Sequence, residues 1–457
     1  MKPEIVNPND GLKNADRSKK KYSLRRRALS LLFALLALTS CSSWLPQVDF
    51  PWQQGEPVTT ETALPAPTET PELSDESPAA PTPQAAPVEL VLWLPAEMDP
   101  GAESQAAALL QARLSTFAET EGIDITIRLK SLSGSGGLLD VLTAASAAAP
   151  QALPDLILLP RRDLETAALK SLVTPLDPLT SIVDDEDWFP YAREMSLIQG
   201  VVYGIPFVGD PLALIAKAAG ENPPQADWQT IAAPGNTFLF PADDSQALLP
   251  LTLYLNFGGA LSGSQPRASL DEETLVKMLS LLAEGRQNGS IPADVVQWQT
   301  YQQSWEAFLN DEASLTAAPL SLLLKEYAQV QEEPAALPTL LETSFTLSSG
   351  WVWALSAQDA SRQALALNLA EYLVEPGFLS SWSEAFGRVP TRPSALESWQ
   401  NAALRQALLQ QSLSARFLPG NEVMTSISPA LRSAVLAVLR DNVTPEEAAK
   451  QAMESLK

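Results

Sequence analysis

At 457 residues, 46% of them hydrophobic, the chain is long enough to fill two cores of ordinary size. Its formal charge is -24, and since residues 1–40 hold nine basic and three acidic side chains, the 21 basic and 51 acidic groups that remain leave -30 on the rest. Such a surface repels nucleic-acid phosphates and keeps a protein in solution. With no histidine and a single cysteine, histidine triads and bases, histidine or cysteine metal cages and an internal disulfide are excluded, and no metal or other cofactor is expected.

Lys19 to Arg27 is a basic run and Ala28 to Thr39 an apolar one. A basic segment followed by about a dozen apolar residues has the layout of a secretory signal and is short of the ~20 residues of a membrane-spanning helix. It ends in Leu38-Thr-Ser-Cys41, which resembles the lipobox of bacterial lipoproteins and makes Cys41 the expected lipidated residue of the mature chain. From Ser42 to Pro87 the sequence is dominated by Pro, Thr, Glu, Ser and Ala, a composition that cannot bury enough apolar surface to order itself. As a polyproline helix at ~3.1 Å per residue this tether would reach on the order of 140 Å.

The body opens with the apolar strand Val88 to Leu94, stopped by Pro95. A helix around Ala108 to Phe117, the alternating strand Ile123 to Leu129, a helix from Leu138 to Ala149 and the strand Leu153 to Pro160 follow. This alternation predicts a mostly parallel sheet covered on both faces, with ligands beyond the carboxyl ends of its strands. Gly200-Val-Val-Tyr-Gly-Ile-Pro-Phe207 reads as a strand that hands the chain to a second domain, and Ser348 to Ser356 as a second crossing of the same kind. Between them are expected a short helix at Asp227, a strand at Asn236–Phe240, helices at Ser245–Asn256, Asp271–Ala283 and Tyr301–Leu309, and a strand at Ala313–Ala317. After the second crossing come helices at Ser361–Val374, Gly377–Ala385, Ser394–Leu413 and Ser428–Arg440, and a last one capped by Thr444.

In order and spacing these segments resemble the extracellular solute-binding lipoproteins of ABC importers, in the family that includes maltose-binding protein. The resemblance rests on the strand with Trp93, Leu153 to Ile157, Gly200 to Phe207, Pro223 to Trp228, Phe308 to Ala318, Gly350 to Ser356, Phe386-Gly-Arg-Val-Pro-Thr391 and Thr444 to Ala449. It implies an α/β, two-lobe periplasmic-binding-protein-like fold of type II, with residues 88–206 and 349–398 in one lobe and 207–348 and 399–457 in the other. It further implies a monomeric receptor on the extracytoplasmic side of the cell membrane that traps a small solute, a sugar above all, by hinge closure and delivers it to ABC permease subunits. A surface lipoprotein that senses or scaffolds without a permease is the alternative, and an extracellular glycosidase a third class for which no carboxylate pair is evident. The chain departs from the family at Met424 to Pro429, which has no aromatic residue, and at Leu214 to Ala218, which keeps one lysine, so maltodextrin specificity is not implied.

Trp351 and Trp353 share a face of the second crossing strand and serve either to stack on a sugar or to fill a core, as do Tyr203 and Phe207 on the first. Gly350 opens the second crossing. Arg161 and Arg162 emerge at the end of a strand, where their guanidinium forks fit hydroxyls or a carboxylate and equally fit a solvated helix start. Glu97, after Pro95, is placed similarly. Asp243 and Asp244 read as sugar acceptors or as caps of the helix that follows. Ser133 to Gly137 lacks the ending of a phosphate loop, and Asp184 to Asp187 the spacing of a calcium loop.

Overall fold

The computed structural model describes residues 88–217, 227–261, 269–329, 339–341, 343–357 and 359–457; the expected signal segment, Cys41 and the tether lie outside them. The chain begins with β1 (Glu89–Pro95), α1 (Gln105–Glu121), β2 (Asp124–Lys130), α2 (Leu138–Ala148), β3 (Leu156–Pro160) and α3 (Arg161–Leu169). Ser104 starts α1 by accepting from the Ala107 amide, and Gly122, left-handed, ends it. Next come α4 (Pro190–Ser196), β4 (Leu197–Ile198), β5 (Val201–Val202), the twelve-residue β6 (Ile205–Ala216), β7 (Phe238–Leu239), α5 (Leu248–Asn256), α6 (Glu272–Asn288), α7 (Tyr301–Leu309), β8 (Leu315–Pro319), α8 (Leu320–Gln329) and β9 (Thr339–Leu341). The chain returns through β10 (Thr346–Leu355) and closes with α9 (Ala360–Leu373), α10 (Pro376–Phe386), β11 (Val389–Pro390), α11 (Pro393–Leu396), α12 (Ala402–Ser414), β12 (Ala415–Phe417), α13 (Asn421–Arg440) and α14 (Pro445–Ser455).

The main sheet has the order β2-β1-β3-β10-β6-β8-β7, with β11 and β9 on β6 and β12 on β10. At the first end β2, β1 and β3 are parallel, and at the second end β7 and β8 are parallel. These are the expected parallel regions. The two crossing strands between them run antiparallel to each other and to β3 and β8. β6 pairs with β10 from Ile205 to Pro211 and with β8 from Leu212 to Ala216, so it serves both ends in turn.

The first crossing is longer and later than the sequence suggests. Pro206 does not stop the strand, because Phe207 is the extra residue of a bulge: Trp351 faces Val208 and Val352 faces Pro206. The partner changes near Leu212, and the Leu212 carbonyl accepts from Thr346 Oγ1 at 2.5 Å and from Gln411 Nε2 at 3.1 Å. Three distant segments therefore meet at one peptide group. Elsewhere, the helix expected from Ser394 to Leu413 is two, since Asn401 caps α12 through the Leu404 amide and Trp399 is buried between them, its Nε1 donating to Ser380 O. The helix expected at Asp227 is a turn in which Asp227 Oδ1 accepts from the Gln229 amide. α13 starts at Asn421, seven residues early, and runs through Pro429.

Large aromatic residues fill the sheet's flanks at both ends: Trp93, Trp353, Trp382 and Phe207 at the first, Trp305, Phe238, Phe240 and Phe308 at the second. The buried cluster is continuous through β6 and β10, whose crossing residues are themselves apolar. At the crossing, Gly209 and Gly350 are register partners, and α4 lies directly on them. A Cβ at Gly209 would collide with the Tyr191 ring and hydroxyl, and one at Gly350 with Met195 Sδ and the Val208 carbonyl. Glycine is needed at both for close approach, so Gly350 is a packing residue.

Gly209→Ala and Gly350→Ala should each lower the urea-unfolding free energy by about 1–3 kcal/mol, the cost of overpacking. Gly377→Ala, with nothing within 4 Å of the added methyl, should leave it unchanged or raise it.

Candidate functional site

β1 ends at Pro95, so Glu97 projects from its carboxyl end; Asp210 stands at the middle of β6, and Ser321 in the first turn of α8. Arg388 follows α10. These four residues, from both ends of the sheet, form one polar cluster at the crossing. Asp210 Oδ1 accepts from the Ser321 amide at 2.8 Å and Oδ2 from Ser321 Oγ at 2.7 Å, while Arg388 Nη1 donates to Oδ2. Arg388 Nη2 lies 3.8 Å from Glu97 Oε1. The Arg388 and Asp210 side chains are 11% and 12% exposed, so the pair is held mostly out of water, whereas Glu97 is a third exposed and its carboxylate reaches solvent. Arg388 Nε and the fully buried Tyr191 hydroxyl have no hydrogen-bond partner among the described residues. Burial, helped by the Asp210 charge, drives the Tyr191 phenol far above its ordinary value, so it stays a protonated donor. The cluster offers a charged fork, two carboxylates and hydroxyls: the inventory that binds a polyhydroxylated ligand.

A second cluster lies where α3 begins. Arg161 is buried, with Nη1 on Glu165 Oε2 at 3.1 Å, Nη2 on the Leu197 carbonyl at 2.7 Å and its guanidinium 5.0 Å from the Phe417 ring centre. Burial lowers the pKa of Arg161, and Glu165 opposes the shift. Arg162 beside it points outward, 63% exposed, with Asp163 Oδ1 3.8 Å from its Nε. Of the two arginines, Arg162 is the exposed one, and Arg161 is a packing and pairing residue.

The structure sorts the remaining candidates. Trp351 keeps 8% of its surface exposed and sits between Pro160 and Val208, at the height of the Glu97 and Arg162 strand ends. Trp353 and Phe207 are core residues: their rings are 5.2 Å apart, and Trp382 covers Phe207 at 4.6 Å, leaving no face for a sugar. Tyr203 is half-buried and lies seven residues before Asp210, away from the crossing point, because β6 continues past Pro206. Asp243 is taken by Arg432, whose Nε is 2.7 Å from Oδ1. Asp244 caps α5 by accepting from the Gln246 and Leu248 amides, both at 3.0 Å; these two aspartates organise the second end of the sheet. Within the acidic turn, Asp185 pairs with Arg392 at 2.9 Å, and Asp187 accepts from the Ser394 amide at 3.0 Å. Sequence reasoning missed Asp210, Arg388 and Ser321. The visible signal was one carboxylate inside an otherwise apolar strand, Ile205-Pro-Phe-Val-Gly-Asp-Pro-Leu-Ala-Leu-Ile-Ala216.

The family model described as bacterial extracellular solute-binding protein matches residues 112–407. Among solved structures, the cyclic alpha-maltosyl-1,6-maltose binding protein of Arthrobacter globiformis superposes with a TM-score of 0.66 at 15% identity, over 81% of this chain and 98% of that one. Maltose-bound MalE3 of T. maritima superposes at 0.61 with 15% identity, over 81% and 99%. A solute-binding protein of an ABC transporter from Thermotoga lettingae, bound with alpha-D-tagatose, does so at 0.60 with 18% identity, over 81% and 98%. No curated protein sequence matches the chain significantly. The shared architecture is the mixed α/β, periplasmic-binding-protein-like fold.

Arg388→Ala would leave Asp210 buried without its cation and should cost about 3–5 kcal/mol in denaturant unfolding. For Asp244 the dominant effect is burial, which raises its pKa against the helix amides and Arg432. Because the folded carboxyl titrates above the unfolded one (~3.9), protonation favours the fold, and stability from this group falls as pH rises from that value through the folded one. Asp244→Asn, which still caps α5, should flatten that acid-range profile and leave stability at pH 7 equal or higher, whereas Asp244→Ala should lose about 1 kcal/mol.

Proposed function

The chain belongs to the bacterial extracellular solute-binding proteins, and from that membership we propose that it captures a sugar between two lobes and delivers it to an ABC importer. The family places it outside the cytoplasm. The proposed lobes are residues 88 to about 209 with 349–398, and residues about 212 to 348 with the C-terminal helices; the boundary in β6 moves to Asp210–Leu212, where its partner changes from β10 to β8. The observation that carries the reading is the cluster of Glu97, Arg388, Asp210 and Ser321, in which side chains from both ends of the sheet converge at the crossing. A ligand there touches both lobes, and only a ligand that does so favours the shut form.

Carbohydrate is the proposed solute class because two of the solved proteins of this fold named above hold maltose or tagatose, and because a tryptophan, Trp351, lies opposite Pro160, where β3 hands over to Arg161 and Arg162. Glu97, Arg162, Trp351, Asp210 and Arg388 are the proposed contacts. We propose no catalysis: the two carboxylates at the crossing engage the same guanidinium, which does not suit an acid and a nucleophile acting in turn. Lipidation at Cys41 and the Pro-rich tether would hold the protein as a monomer on the membrane beside its permease subunits.

Thermal unfolding of the purified protein against neutral mono- and oligosaccharides, polyols, peptides and amines tests the assignment. A true ligand at a hundredfold excess over its Kd should add about 2.7 kcal/mol. Glu97→Gln and Arg162→Ala should shrink that gain while leaving the ligand-free melting temperature within about 1 °C. A panel in which peptides or amines stabilise and every sugar is inert would overturn the carbohydrate reading.

A further inference from the structure

α13 touches both ends of the sheet. Arg432 in its middle holds Asp243, with Nη2 2.5 Å from Oδ1, and Arg440 at its end donates to the Val296 carbonyl at 2.9 Å, so most of the helix is fixed to the second end. Its first residue is bound to the first end instead. The Asn421 amide donates to Glu165 Oε1 at 2.9 Å, and Asn421 Nδ2 donates to the Arg162 carbonyl at 2.7 Å and to Thr166 Oγ1 at 3.3 Å. All three acceptors lie on α3. Glu165 is held in place by Arg161, which is itself anchored to Leu197. A carboxylate at the first amide of a helix is further favoured by the helix dipole, and Gly420 lets it approach, since a Cβ there would come within 3.2 Å of Oε1.

We propose that Asn421 and Glu165 form a latch between the lobes, a contact that must part when the cleft opens and that sets the balance between open and shut forms. The proposal rests on the two-lobe reading above. The crossing strands are continuous chain and stay paired through a hinge motion, and β12, just before α13, is itself paired with β10 and bonded to Glu194 of α4; the bonds from Asn421 to α3 lie outside that pairing. The α3–α13 contact therefore bears on the difference between the two forms. Its acceptors are the Arg162 carbonyl, a Thr hydroxyl and a carboxylate already paired with Arg161, so it can form without any solute present.

The test uses the full chain with Cys41→Ser, spin-labelled at Leu169→Cys on α3 and Leu309→Cys on α7, which are 60% and 37% exposed. Electron–electron distance measurement should show the longer-distance population rise about tenfold in Asn421→Ala. In an unlabelled sample, Thr166→Cys with Asn421→Cys should cross-link spontaneously under air, as read by mass spectrometry, and the cross-link should hold the protein compact by small-angle scattering. Failure to cross-link would mean that the contact does not form in solution. An unchanged distance distribution in Asn421→Ala alongside a lowered melting temperature would mean that it only buttresses the fold. Either result overturns the latch. Neither arm contains a sugar, so a latch that behaves as expected beside an inert sugar panel would count against the ligand assignment alone.

Discussion

The structure depends on one pairing, that of β6 with β10 through the facing glycines Gly209 and Gly350. Among the described residues β2, β1 and β3 belong to one end of the sheet and β7, β8 and β9 to the other, β11 and β12 join the crossing itself, β4 and β5 pair apart, and β6 and β10 pass between the ends. A helix packed over an ordinary strand pair rests on side chains; α4 instead rests on bare backbone, with Tyr191 and Met195 filling the places where two Cβ atoms would be. Close packing of that kind resists shear between the strands, so movement at the crossing is expected where β6 exchanges partners, beyond the glycine pair. The Leu212 carbonyl, bonded to Thr346 and Gln411, adds a third segment at that same place.

Electrostatics at the crossing follows from where backbone and charge run out of water. Asp210 is surrounded by apolar strand neighbours and would be costly to bury alone; the α8 amide, the Ser321 hydroxyl and Arg388 compensate it from three directions. The carboxylate thereby ties an element of each sheet end to the strand that joins them. Glu97 stands at the edge of this network with its carboxylate still in contact with solvent, and Arg162, at the start of α3, is unburied. Paired, buried charges and exposed ones thus stand side by side in each cluster, and burial separates them more sharply than residue type does.

Much of the architecture was legible in the amino-acid order. β1-α1-β2-α2-β3 follows from alternating periodicity, the caps at Asp271 and Thr444 from local chemistry, and the existence of two crossings from Gly, Pro and aromatic spacing. The site was legible only in part, because its bonds are long-range: Arg388 and Asp210 are 178 positions apart, and no local pattern joins them. Period-two reasoning put Trp351 and Trp353 on one face, yet it could not say that Phe207 would be the bulged residue and pack its ring against Trp353, nor that both tryptophans would be buried. Likewise Arg161 and Arg162 are identical in sequence terms and differ only because the helix begins between strand end and solvent, turning one guanidinium in and the other out.

The place of β10 in the sheet also dictates an order of assembly. It inserts between β3 and β6, strands made long before it, so the early part of the chain must wait with its central position empty until residue 355 has been synthesised. Contacts of such wide sequence separation slow the search for the native state and keep a nascent polypeptide from locking prematurely. Neither half of the sheet is complete until β10 takes its place between β3 and β6.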